Sequence, residues 1–174
     1  MALKLIKLTP AYREQLVDMI DEWRADQEKN HTNHSPWVIF KNDPRDFEKY
    51  LSELETPEDR YGLVADSVFF LLDDERDRLL GAVNIRHHLN ERLLFDGGHV
   101  GDGIRPTERR KGFGTELIRL ALLECGKLGI DRVLITCDRE NIASAKAIVR
   151  NGGVLENEVV DEDGEVVQRY WVDL

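Results

Sequence analysis

Cysteine is scarce in this chain: 174 residues contain two, Cys125 and Cys137. They are not close-spaced and no histidine is placed to join them, so the sequence shows neither a zinc pattern nor a disulfide framework. Both are expected to be small buried apolar groups, and no metal is expected. Long apolar runs are missing too. None approaches the ~20 residues of a membrane-crossing helix, and the N-terminal Met-Ala-Leu-Lys-Leu-Ile-Lys-Leu is too short and too often broken by lysine for a secretory signal. No membrane attachment and a cytoplasmic location are the expectations. Positive charge is in deficit, with 24 Lys and Arg against 34 Asp and Glu and a formal net charge of −10. Such a surface repels nucleic acid and anionic membranes.

Hydrophobic residues at 41% and charged residues at 33% fit a folded protein with a charged exterior. The length suits one domain over residues 1–174 with a continuous core. There are no internal repeats and no low-complexity segments. Against the acidic background, Arg105, Arg109, Arg110 and Lys111 place four positive charges within seven residues. In an acidic protein that cluster reads as a local anion site.

Residues 2–8 alternate apolar and basic like a strand, and Thr9-Pro10 then gives a helix cap followed by proline at the first helical position. Tyr12, Leu16, Met19, Ile20 and Trp23 form the apolar face of a first helix whose pattern fades after Asp26. Asp43-Pro44 repeats the start signal for a second helix through Phe47, Tyr50, Leu51 and Leu54. Apolar runs at 64–72 and 79–86, separated by a charged tract, predict an antiparallel hairpin. A strand near 99–105 then leads through Pro106 and a glycine-containing turn into an amphipathic helix over 112–128, closed by Gly129, with a strand at 132–137 directly after. That strand, helix, strand order predicts a parallel pair. Asn141 caps a further helix ending at Asn151-Gly152-Gly153, and a hairpin over 154–174 turns at 161–164. The order predicts an α/β fold: a mixed sheet with helices on its faces.

The chemistry-bearing segment is the run from Ile104 through Arg109, Arg110, Lys111, Gly112, Phe113 and Gly114 to Thr115, where a strand turns into a helix. Glycine allows close backbone approach, first-turn amides point outward, and the helix dipole favours an anion. A pyrophosphate suits that description. Equally, a basic turn with glycines placed for tight packing would produce the same run.

The chain resembles the GNAT superfamily of N-acetyltransferases, whose signature at this junction is Arg or Gln, two residues, Gly, one residue, then Gly or Ala. Arg109, Gly112 and Gly114 match it. Asn141, Ser144 and Gly152 match the second signature, Asn-x-x-Ser followed by a glycine. The closing segments also look like a bacterial subgroup known as predicted acetyltransferases. The resemblance implies a central mixed, splayed sheet of about seven strands with helices on both faces, and acetyl-CoA as cosubstrate. It implies that pantetheine lies along the strand edge at Gly103 and Ile104, with the Asp102 amide facing the thioester carbonyl as an oxyanion donor. Asn141 and Ser144 would bind along pantetheine or pyrophosphate, although Asn141 is also a helix cap in its own right.

An amine nucleophile needs a base, and the leaving thiolate can take a proton from an acid. The family often places a carboxylate at the start of the splayed strand; here His99 is the first candidate base and Asp102 the second. The family's usual acid, a tyrosine four residues after the motif serine, is replaced by Ile148. His87 and His88 alternate to opposite faces, which is poor metal spacing. Tyr12, His34 and Trp37 are placed to line an acceptor pocket, or else belong to the core. The function implied is acetyl transfer from acetyl-CoA to a primary amine on a small molecule or peptide, by direct attack in a ternary complex. The acidic surface favours a cationic acceptor, and homodimers through sheet edges are common in this fold. The alternative is a non-catalytic acyl-CoA-binding module. A dinucleotide-binding Rossmann domain fits less well, because the glycine spacing and its place in the chain are wrong for that motif.

Overall fold

The computed structural model describes residues 2–174. In chain order the elements are β1 (Leu3–Ile6), α1 (Arg13–Asn30), α2 (Phe47–Glu53), β2 (Asp66–Asp73), β3 (Arg78–Arg86), β4 (Val100–Ile104), α3 (Phe113–Lys127), β5 (Arg132–Asp138), α4 (Ile142–Arg150), β6 (Val154–Val160) and β7 (Val166–Asp173). The strands form one seven-stranded sheet in the order β1-β2-β3-β4-β5-β7-β6. Every neighbouring pair is antiparallel except β4 and β5, which run parallel on either side of α3. This is the mixed α/β sheet that the element order predicts.

Helices cover both faces because each carries an apolar stripe at helical spacing. Leu16, Met19, Ile20 and Trp23 of α1 join Phe47 and Tyr50 of α2 over Phe70, Leu72 and Ala82 of the sheet. On the opposite face Phe113, Leu117, Ile118, Ala121 and Cys125 of α3, with Ala147 and Ile148 of α4, pack on Val83, Ile85, Val100 and Ile135. Burial of each large side chain contributes roughly 1.5–3 kcal/mol. Both cysteines are free and buried.

The boundaries differ from the sequence reading at several places, and α1 and α2 begin at Arg13 and Phe47, each three residues after the proline of its start signal. Helix α1 runs on to Asn30, beyond the fading of its apolar pattern, and ends where His31 takes a left-handed conformation. Only Gln27 is buried in that last stretch, so the turns there carry almost no hydrophobic signal. A turn with π-helical hydrogen bonding spans Leu93–Gly97, where the sequence reading predicts no element. Its apolar Leu94 and Phe95 are exposed, contrary to what their composition suggests. No helix among the described residues is long and apolar enough to cross a membrane.

Candidate active site

Strands β4 and β5 touch at one register only, Val100 opposite Ile135, just after His99 donates its amide to the Leu134 carbonyl at 2.7 Å. Beyond that point they part, while β4 stays paired with β3 through Ile104. The result is a wedge in the sheet bounded by Asp102 and Ile104 on one side. Their carbonyls face it: the Asp102 oxygen accepts from the Ser35 hydroxyl at 2.9 Å and the Ile104 oxygen from Arg109 Nε at 3.0 Å. In an antiparallel ladder the N–H and C=O of one residue point the same way. The Asp102 and Ile104 amides therefore also point into the wedge, while the Arg105 amide turns back to the Leu80 carbonyl on β3.

At the far end of β4 the chain enters α3 through the glycine loop. Gly112 sits at φ 85°, a left-handed conformation that a side chain would strain, and no atom lies within 4 Å of the Cβ position at Gly112 or Gly114. Among the described residues, the amides of Arg110, Lys111, Gly112, Phe113, Gly114 and Thr115 make no hydrogen bond, and α3 has no side-chain cap. Six unpartnered donors at a helix start, beside open space, have the arrangement of a cradle that an anion could fill.

The side-chain charges are disposed differently from the sequence reading. Arg105 is 2% exposed and spans Asp18 at 2.8 Å, Glu22 at 2.9 Å and the Leu79 carbonyl at 3.1 Å. Arg109 reaches Asp26 at 3.0 Å. Lys111 meets Glu108 at 3.2 Å. Three of the four clustered cations are thus paired with carboxylates of the chain, Arg105 in the interior and Arg109 and Lys111 nearer the surface, which leaves the backbone amides and Arg110 as the groups open to an anion. The acids responsible were visible in the sequence as Asp18, Glu22 and Asp26, four apart along one helix face. Glu108 itself is buried and accepts from Arg76, Arg78 and Lys111. Burial acts to raise its carboxyl, but these hydrogen bonds outweigh it and hold the group down at about 2.

The two candidate bases are placed differently. Gly101 and Gly103 face α1: a side chain at Gly103 would run into Trp23 and the Ser35 carbonyl. Asp102 alternates to the other face, between Val100 and Ile104 in the cluster under α3. Burial pushes its carboxyl up to about 6, and among the described residues it has no hydrogen-bond or ion-pair partner. Its charge is felt by Cys137 on β5, whose thiol is pushed up to about 11, mainly by burial. His99 is 6% exposed, and its Nδ1 accepts the Leu134 amide at 2.9 Å. That bond leaves the proton on Nε2, so the neutral ring has no free lone pair. Burial, with Arg86 and His88 nearby, lowers its pKa to about 4. This placement speaks against the order in which sequence reasoning put the two.

The Asn141 side chain accepts the Ser144 amide at 3.2 Å and so caps α4, as its residue type suggests. Ser144 stands beside the Cys137 thiol. Ile148 is fully buried in the core, against Gly153. His87 bonds Ser67 and His88 bonds Asp59, so the two rings diverge. Of the candidate acceptor-pocket residues, Trp37 lines a cavity of about 100 Å³ on the α1 and α2 side of the sheet. His34 packs edge-on against Phe40 and Tyr12 packs against the core of that face. A larger groove of about 390 Å³, lined by Arg132, Gly152 and Trp171, lies toward the other end of β5 and does not touch the wedge.

A family model described as an acetyltransferase (GNAT) domain matches residues 3–154. No curated protein matches the chain. Among solved structures it is similar to RimL, a ribosomal L7/L12 alpha-N-protein acetyltransferase in complex with coenzyme A, at TM-score 0.70 and 14% identity over 100% of this chain and 95% of that one. It is also similar to the microcin C7 self-immunity acetyltransferase in complex with acetyl-CoA and AMP, at 0.67 and 17% over 99% and 92%. A third is the spermidine/spermine N-acetyltransferase of Vibrio cholerae, at 0.64 and 19% over 99% and 95%. At these identities the likeness lies in the fold.

Proposed function

The chain belongs to the GNAT acetyltransferase family, and from that premise we propose that it transfers an acetyl group from acetyl-CoA to a primary amine by direct attack in a ternary complex. The observation that carries the proposal is the continuity of one strand edge: gap-facing groups at Asp102 and Ile104 lead straight to the six unpartnered amides at 110–115. A diphosphate in the cradle places pantetheine along β4, with hydrogen bonds to the Ile104 edge. Gly112 and Gly114 keep the approach clear, Phe113 anchors the loop in the core, and Arg109 holds it to α1. Asn141, the cap of α4, and Ser144, beside the Cys137 thiol on β5, would bind along pantetheine or pyrophosphate.

In this arrangement the amine nitrogen attacks the thioester carbonyl, and the developing oxyanion is met by the Asp102 N–H. Collapse breaks the carbon–sulfur bond and releases coenzyme A thiolate, while the amine loses one proton. Asp102, with its carboxyl near 6, takes that proton through water at neutral pH. His99 becomes the second candidate and serves to pin β4 against β5 at the point where they part. Ile148 packs and donates nothing, so the thiolate leaves to solvent.

Ile148 also favours one other reading, a protein that binds acyl-CoA without turning it over. Purified protein incubated with acetyl-CoA and a mixed set of primary amines separates the two. Amine-dependent release of free thiol is expected; CoA-induced thermal stabilisation with no release would establish the binding module instead.

A further inference from the structure

We propose that the cavity beside Trp37 is a subsite for a carboxylate on the amine acceptor, with Arg86 as the residue that holds it. The proposal rests on the acetyl-transfer reading, since it names what the acceptor carries besides its amine. Arg86, at the end of β3, is half-buried, yet among the described residues no carboxylate lies within ion-pair distance of it. Among the described residues its side-chain hydrogen bonds run from one nitrogen, Nη1, to the Gly97 and Gly98 carbonyls at 3.2 and 3.4 Å. Among the described residues Nε and Nη2 have no partner, on a guanidinium that burial, with Arg92 nearby, makes harder to keep charged while the charge of Asp66 opposes them. The two open donors are reached by solvent from the cavity, so an anion can replace water on a guanidinium that is otherwise half-buried.

The surroundings point the same way. Lys41 and Arg92 line the same cavity, and among the described residues Asp66 is the one carboxylate in its wall. Asp66 is occupied by the fold, accepting from the Thr56 amide at 2.6 Å and the Asn84 side chain at 2.8 Å. Three cations against one committed acid form a positive pocket in a chain of net charge −10. The overall charge argues for a cationic acceptor, but the side chains lining this cavity have the opposite balance. A volume of about 100 Å³ admits a carboxylate and a few carbons. The planar guanidinium fork matches a carboxylate in a way an ammonium does not.

Position links the cavity to the reacting centre. Nη2 of Arg86 lies 3.4 Å from where a Cβ on Gly101 would stand. Gly101 is the residue before Asp102, about 3.8 Å along the chain. The absent side chain leaves the guanidinium against β4, so a carboxylate held there delivers an amine a few bonds away to the wedge. An amino acid, or a short amine with a terminal carboxylate, has that form.

The test uses equilibrium binding to the CoA-saturated protein, so it does not depend on turnover. N-acetylglycine, N-acetyl-β-alanine, N-acetylleucine and N-acetylphenylalanine are titrated calorimetrically, each against its primary amide. At least one carboxylate should bind about tenfold or more tightly than its amide, the factor expected of a charge-assisted bidentate contact. Arg86→Met should remove the preference and Arg86→Lys should retain part of it, with CoA still stabilising both variants. If Arg86→Met fails to fold, Arg86→Lys and the shift of the Arg86 Nε–H resonance in the wild type decide the matter. No carboxylate binding, equal binding of acids and amides, or a preference that survives in Arg86→Met would overturn the proposal. Failure to release thiol with any amine would instead strike the acetyl-transfer reading, leaving a measured carboxylate preference in place.

Discussion

Replacing Gly112 by alanine should weaken CoA binding far more than it weakens the fold, and Gly129 supplies an internal control. Both glycines hold left-handed backbone, at φ 85° and 79°, and neither has an atom within 4 Å of its Cβ position. No clash follows in either case, so each alanine variant should lose only the left-handed penalty of about 1–2 kcal/mol. For a chain of this size that lowers the thermal midpoint by about 2–8 °C. Gly129 closes α3 at the opposite end from the cradle, so its variant should bind CoA like the wild type. At Gly112 the methyl group enters the space through which a diphosphate must reach the amides. Losing one charge-assisted amide bond, worth about 1.5–3 kcal/mol, weakens CoA by about 10- to 150-fold. Gly112→Asp adds repulsion of about 0.8–3 kcal/mol per unit charge at ~5 Å, a part that should shrink with added salt. Calorimetric titration of CoA at two ionic strengths, alongside ligand-free melting curves, measures both effects. Equal CoA affinity in Gly112→Ala and Gly129→Ala would refute the reasoning.

With saturating substrates, turnover should rise with pH through about 6, where burial places the Asp102 carboxyl. Asp102→Asn should lower the rate and abolish that rise, and an unchanged profile would remove Asp102 as base. Ile148→Tyr should destabilise by about 1–3 kcal/mol through overpacking, because Ile148 is fully buried, and should bring no gain in turnover. A large gain would show that proton donation to the thiolate limits the wild type. The Glu108 carboxyl is held at about 2 against an ordinary 4.5, so its contribution to stability is complete above the unfolded value and fades as pH falls from about 4.5 toward 2. Glu108→Gln should therefore show a shallower loss of stability over that window in acid melting curves.

Most of the framework was legible because it rests on local rules. Gly112 and Gly129 bracket α3, Asn141 caps α4, and the alternation in β2 and β3 marks their hairpin. The charges of the loop were legible as a cluster but not in their use. Arg105 and Arg109 spend themselves on Asp18, Glu22 and Asp26, more than eighty residues earlier, and only the packing of α1 beside the loop brings them together. The same limit applies to His99, whose type suggests a base while its Nδ1 is engaged by the Leu134 amide on the neighbouring strand. Arg86 escaped notice because a single arginine at a strand end looks like a surface charge. Its partial burial, and the lack of an ion-pair partner among the described residues, emerge only when β4 and the Leu93–Gly97 turn close over it.

The most direct measurement of the central claim is a crystal structure of the protein grown with CoA. The account predicts diphosphate oxygens within hydrogen-bond distance of the amides between Arg110 and Thr115, pantetheine paired with the Ile104 edge, and the sulfur in the wedge near the Asp102 N–H. A cofactor seated elsewhere, with the 110–115 amides facing only solvent, would contradict it.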